Sequence, residues 1–297
     1  MRIVLLLLFL FAFNEAAKAQ RLAHYDILLF SLGKSADNTW QPGAPRFLTA
    51  FNPKGYNNQP SFFSNNELYL TLQTPDDTTQ TEICALDLSL KTRTAVTATP
   101  ATAEYSPTLM PGGRRFSVVR VEENGSQRLW SFPVDRSDNG RPEFPGIQGV
   151  GYHCWLSDTL VAFFIVGENG GQHVLYTAGA KAQKLRRVSA NIGRCLQRLP
   201  DGKLAYVQKA TEQTWYLKTY DPQKQTFEII VKMPADSEDF AVLPDGTYLS
   251  GRGATLYQFK PGINLDWKQV ADLSAYGINN ITRLAASGDG KLAVVVE

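Results

Sequence analysis

Histidine and cysteine are scarce in this sequence, with three of each in 297 residues. There is no Cys-x-x-Cys pair and no Cys/His cluster, which argues against a structural zinc site. An odd cysteine count (Cys84, Cys154, Cys195) is a poor basis for a disulfide scaffold, so a large apolar core has to carry the stability. Charge of one sign is also missing. The net charge is +2, and the densest basic cluster, Lys184, Arg186 and Arg187, reads as the solvated outer strand of a sheet. A nucleic-acid binder would carry a clear basic excess, so none is expected among the partners. Gly-x-Ser-x-Gly, P-loop, His-Glu-x-x-His and EF-hand patterns are all absent. Beyond residue 13 no apolar run approaches the length of a membrane span, so no stable membrane insertion is expected.

The N-terminus holds the one long apolar run. Arg2 precedes eleven apolar residues, Ile3 to Phe13, and Ala17-Lys18-Ala19 follows. Eleven residues are too few to cross a bilayer core of ~30 Å. A short apolar stretch closed by Ala-x-Ala is the pattern of a secretory signal peptide. The sequence therefore predicts a leader over 1–19, cleavage between Ala19 and Gln20, and a mature domain over 20–297 in the periplasm or outside the cell.

Within the mature chain a turn signal recurs. Ser64-Asn65-Asn66, Pro111-Gly112-Gly113, Leu156-Ser157-Asp158, Pro200-Asp201-Gly202, Pro244-Asp245-Gly246 and Gly288-Asp289-Gly290 end at spacings of 47, 45, 44, 44 and 44. A period near 44 is that of propeller blades. A short apolar segment precedes each turn and an apolar strand follows it. A third alternating strand comes next, as in Ile83-Cys84-Ala85-Leu86, and then, in the first five units, a more polar fourth such as Arg93 to Val96. Four antiparallel strands per unit, with no helical periodicity, predict an all-β six-bladed propeller. The sixth unit stops after two strands, at Glu297. Tyr25 to Leu32 and Arg46 to Thr49 at the other end of the mature chain are the strands that complete it and remove its open edges.

Gln59-Pro60-Ser61-Phe62-Phe63-Ser64-Asn65-Asn66, followed by Glu82-Ile83-Cys84-Ala85-Leu86-Asp87-Leu88, resembles the repeat of the TolB-like (WD40-like) propellers. Tyr105 to Gly113 and Leu199 to Tyr206 resemble it too. The resemblance implies the six-bladed fold but carries no chemistry of its own. It also brings in lyases of this fold, which draw several histidines to a channel metal. Here only His153 lies on an innermost strand, whereas His24 and His173 precede third strands, away from the axis. No metal and no cofactor are expected.

A propeller gathers the starts of its inner strands around one channel mouth. Those segments hold Asn57, Asn58 and Gln59; Glu104 and Tyr105; Tyr152 and His153; Arg194; Glu238 and Asp239; Asn279 and Asn280. The ligand-binding candidates at that mouth are Asn58, Glu104, Tyr105, His153, Arg194, Glu238, Asp239 and Asn280. A polar ring of mixed sign suits a small polar ligand, a peptide terminus or a bound cation, and also a water-filled channel of mutually paired groups. The expected function is a monomeric, exported, non-enzymatic propeller that binds a cell-envelope protein or small polar ligand. The competing expectation is a glycan lyase or a lactone or glycan hydrolase at the same mouth. Cys154 and Cys195, on inner strands of neighbouring blades, are expected to be buried free thiols.

Overall fold

The computed structural model describes residues 22–73 and 80–297; the leader and cleavage point expected from the sequence lie outside the described residues. Six sheets of antiparallel strands form a ring. The first five are sequential meanders, and their inner strands are Tyr56–Phe62, Ala103–Leu109, Val150–Ser157, Ile192–Arg198 and Ala241–Val242. The sixth has Ile281–Ala286 innermost, then Lys291–Val296, then the N-terminal strand Asp26–Lys34. Ile27 pairs with Val295 and Phe30 with Leu292, so the chain ends meet inside one blade.

The predicted turns sit where the repeat puts them. Gly202, Gly246 and Gly290 occupy one structural position with φ of +84°, +80° and +85°, which an L side chain adopts only under strain. The aspartate before each glycine pins its turn. Asp201 Oδ1 accepts from the Lys203 N–H at 3.1 Å, Asp245 Oδ1 from the Thr247 N–H at 3.1 Å, and Asp289 Oδ1 from the Ser287 hydroxyl at 2.6 Å.

The apolar core lies between blades and leaves the axis free. Alternate residues of each central strand face opposite neighbours. Leu68 and Leu70 join Ile27, Leu29 and Val295 between blades six and one, while Tyr69 joins Ile83, Phe116 and Phe132 between blades one and two. The N-terminal strand does the same, with Ile27 and Leu29 feeding one interface and Phe30 the next. All three cysteines are buried and free.

Two sequence expectations need correction. The outer strand of blade six is not Arg46 to Thr49 alone. Trp40–Pro42 and Arg46–Phe47 share that position along Asp26–Lys34, and Thr49 instead accepts the Ile27 N–H on its hydroxyl at 3.1 Å. In blade five the inner strand shrinks to Ala241–Val242.

Candidate binding site at the channel mouth

Five of the six inner strands are irregular where they pass the axis. Register shifts fall between Asn58 and Ser61, Tyr105 and Thr108, Val150 and Tyr152, Ile192 and Leu196, and Ile281 and Arg283. A bulge re-aims side chains, and here it decides what faces the channel. Gln59 (φ +54°) and Ser106 (φ +56°) line its lumen, and the residues before them do not. Asn58 stays in the ladder opposite Thr71, buried, its Oδ1 accepting the Gln59 N–H at 2.7 Å. Glu104 pairs with Arg120 across blade two.

Glu104 is fully buried away from the mouth. Its Oε1 accepts from Arg120 Nε at 2.7 Å and from the Thr102 hydroxyl at 3.0 Å, and its Oε2 from the Thr99 hydroxyl at 2.5 Å. Burial pushes its carboxyl up against the pull of Thr99 and Arg120. It is a structural anchor of blade two, and neither Asn58 nor Glu104 joins the other candidates.

Of the remaining candidates, Arg194, Glu238 and Asp239 come together, while Tyr105, His153 and Asn280 line three different spaces around them. Arg194 from blade four sends Nη2 to the Thr282 carbonyl of blade six at 2.7 Å and lies 3.3 Å from Glu238 of blade five. Burial would raise the Glu238 carboxyl, but a Lys209 ammonium at 2.7 Å and the Arg194 charge outweigh it and hold it below the usual range. Asp239 is more deeply set, and there burial wins and pushes the carboxyl up. Its Oδ1 accepts the Leu284 N–H at 2.8 Å. Asn280 is exposed on the rim. His153 is buried, with Nε2 2.7 Å from Ser117 Oγ, and burial drives its pKa down to about 3.

The residue that organises this cluster is Arg283, which stands in the short apolar segment before the last turn. It reaches from blade six across the axis and donates from Nη2 to the Tyr152 hydroxyl of the opposite blade at 2.7 Å. Its Nη1 lies 4.0 Å from Asp239 Oδ2. A signal for it exists. Gln59, Ser106, Cys195, Asp239 and Arg283 all line the channel, and each stands seven positions before the last residue of its turn.

The two crossing guanidiniums separate a lumen of about 290 Å³ from two clefts of about 500 Å³ each on the face where the inner strands begin. Arg194 borders all three spaces. One cleft is bounded by Tyr25, Glu238, Arg252 and Asn280. The other has an aromatic wall, Tyr56, Tyr105, Tyr152, Phe164 and His173, and a charged end, Arg194, Lys209 and Glu238. Tyr56 and Tyr105 meet edge-on at 6.5 Å, Tyr152 and Phe164 at 5.3 Å, and the His173 ring packs 4.6 Å from Phe164. His173, expected away from the axis, therefore belongs to the mouth, carried there by the connection between the second and third strands of blade three. Among the described residues no group of three or more His, Cys, Asp or Glu side chains is placed to hold a metal ion.

The ring is shared with solved structures. A putative TolB from Agrobacterium tumefaciens superposes with a TM-score of 0.66 at 13% identity, covering 93% of this chain and 98% of that one. In fold, this chain is a TolB-like six-bladed propeller. TolB from Acinetobacter baumannii matches at a TM-score of 0.55 and 14% identity over 92% of this chain, which spans 64% of that chain's length. A chain of a nidogen/laminin complex matches at 0.63 and 10% identity, covering 88% of this chain and 98% of that one. No family model and no curated protein matches the sequence. At these identities the likeness extends to the fold and no further.

Proposed function

We propose that the chain is exported, is cleaved between Ala19 and Gln20, and acts as a monomeric, non-enzymatic propeller over 20–297. Its binding face is the one where the inner strands begin, and its partner is an extended segment of a cell-envelope protein or a small polar ligand. The observation that carries this is the cleft of about 500 Å³ with aromatic rings along one side and Arg194, Lys209 and Glu238 at its end. Rigid aromatic surface beside directional charged groups suits recognition of a chain segment and its polar terminus. The nidogen/laminin neighbour is a propeller in a protein complex. Among the described residues no helix is long and apolar enough to cross a membrane, which accords with a mature domain outside the bilayer.

Catalysis is the less favoured reading, on one specific observation. A general acid–base group works best with a pKa near the operating pH. Of the two histidines on the channel, His153 in the lumen wall is driven down to about 3 and already engaged with Ser117, and His173 in the aromatic cleft packs on Phe164 and accepts the Gly167 N–H on Nδ1 at 3.1 Å.

A photo-crosslinking amino acid placed at Val166 or Arg252 on the start face should capture a partner in the exporting cell. At Asp201 or Asp289, in turns on the opposite face, it should not. Capture from the opposite face alone would reject the assignment.

A further inference from the structure

The lumen on the far side of the arginine crossing is built differently from the clefts. Its walls come from all six inner strands, and Arg283, Ser106 and His153 line it while lining neither cleft. Three charged side chains border it: Arg194, Arg283 and Asp239. Glu238 lies in the cleft walls, shared between Arg194 and Lys209. Around the crossing three cations, Arg194, Arg283 and Lys209, therefore stand against two carboxylates, Glu238 and Asp239.

That carboxylate does not satisfy Arg283. Asp239 spends Oδ1 on the Leu284 N–H, and its Oδ2 stays 4.0 Å from Nη1, beyond hydrogen-bond reach. The Tyr152 hydroxyl, accepting from Arg283 Nη2, keeps its own proton free to donate. Ser106 Oγ, His153 Nδ1 and Arg194 Nε, all in residues of this wall, are three of the six buried side-chain polar atoms without a partner among the described residues. Those three atoms are covered by protein atoms; Arg283 Nε and Nη1, which have no hydrogen-bond partner among the described residues, are not, and they face the lumen. Water would fill the space, since about 290 Å³ holds roughly ten waters at ~30 Å³ each. Water does not cancel the charge excess, and an anion does.

We propose that this lumen is a binding site for a small oxyanion, a carboxylate or an inorganic oxyanion, held by the Arg283 guanidinium with the Tyr152 hydroxyl as a supporting donor. A guanidinium presents paired N–H groups that match two oxygens of such an ion. The site is distinct from the mouth and does not depend on the binding role proposed for it.

The test is calorimetric titration of the mature protein with sodium acetate and, separately, sodium sulfate in low-salt buffer, with sodium chloride matched for ionic strength. Saturable binding of either oxyanion beyond chloride is expected. Preference for acetate identifies an organic acid as the class of ligand, and preference for sulfate an inorganic one. Arg283→Gln should weaken binding roughly tenfold or more, the loss of one charge-assisted pair. Should that variant fail to fold, Asp239→Asn decides, because removing the competing carboxylate should tighten binding. Tyr105→Ala, in the cleft, should leave the affinity unchanged, so this test and the mouth reading fail separately. No saturable heat with either salt means a lumen of water only and overturns the site. So does an affinity that Asp239→Asn leaves unchanged or weakens.

Discussion

His153 shows how the axis differs from an exposed polar ring. It is buried, shares Ser117 Oγ with the Trp155 indole N–H at 2.9 Å, and is neutral down to about 3. An unfolded histidine titrates near ~6.5. Between those two values the unfolded chain binds more protons than the folded one, so stability falls as pH is lowered through that window. From pH 7 to pH 5 the loss from this residue should be about 2 kcal/mol. The buried carboxyls of Glu104 and Asp239, raised in the fold, act with the opposite sign but are common to wild type and a His153→Gln variant. Urea unfolding of both proteins at pH 7 and pH 5 isolates the histidine. A variant as acid-sensitive as the wild type would mean that His153 is solvated.

At the scale of the strand, closure rests on Asp26–Lys34. Ile27 and Phe30 are fully buried and Leu29 nearly so, in two different interfaces. Three such side chains, at ~1.5–3 kcal/mol each, match a domain's whole margin of ~5–15 kcal/mol. Deleting Tyr25 to Thr49 should therefore yield aggregated protein with no cooperative melt, read by size exclusion and calorimetry. A monomer melting with the full-length chain would refute closure by the N-terminus. This much was legible in the sequence, because the 44-residue period, the Asp-Gly turns and the two-strand deficit of the last unit each state a pairing requirement. Less legible was which residue of each inner strand meets the axis. The bulges displace facing, so Gln59, one position on, replaces Asn58, and Ser106, two positions on, replaces Glu104, whose side chain is buried in blade two. Apolar patterning cannot register a bulge, although the seven-residue offset from the turn does. Arg283 went unseen for a related reason. Its neighbours Ile281 and Leu284 pack into the core while its own side chain crosses the channel.

For the whole molecule, the division of labour follows from where the apolar surface goes. Six inter-blade clusters take the core, which frees the axis to be polar, and Arg194 and Arg283 close it into a lumen and a mouth. The binding assigned to the mouth is tested most directly at Tyr105 and Lys209, which line the aromatic cleft and neither of the other two spaces. Tyr105→Ala and Lys209→Ala should each melt within a few degrees of the wild type, because both side chains are only partly buried. The measurement is quantitative retention, by each immobilised variant, of the envelope protein crosslinked at the start face. Retention weakened roughly tenfold or more, as for residues at the centre of an interface, is the result this account predicts. Undiminished retention by both folded variants would contradict it.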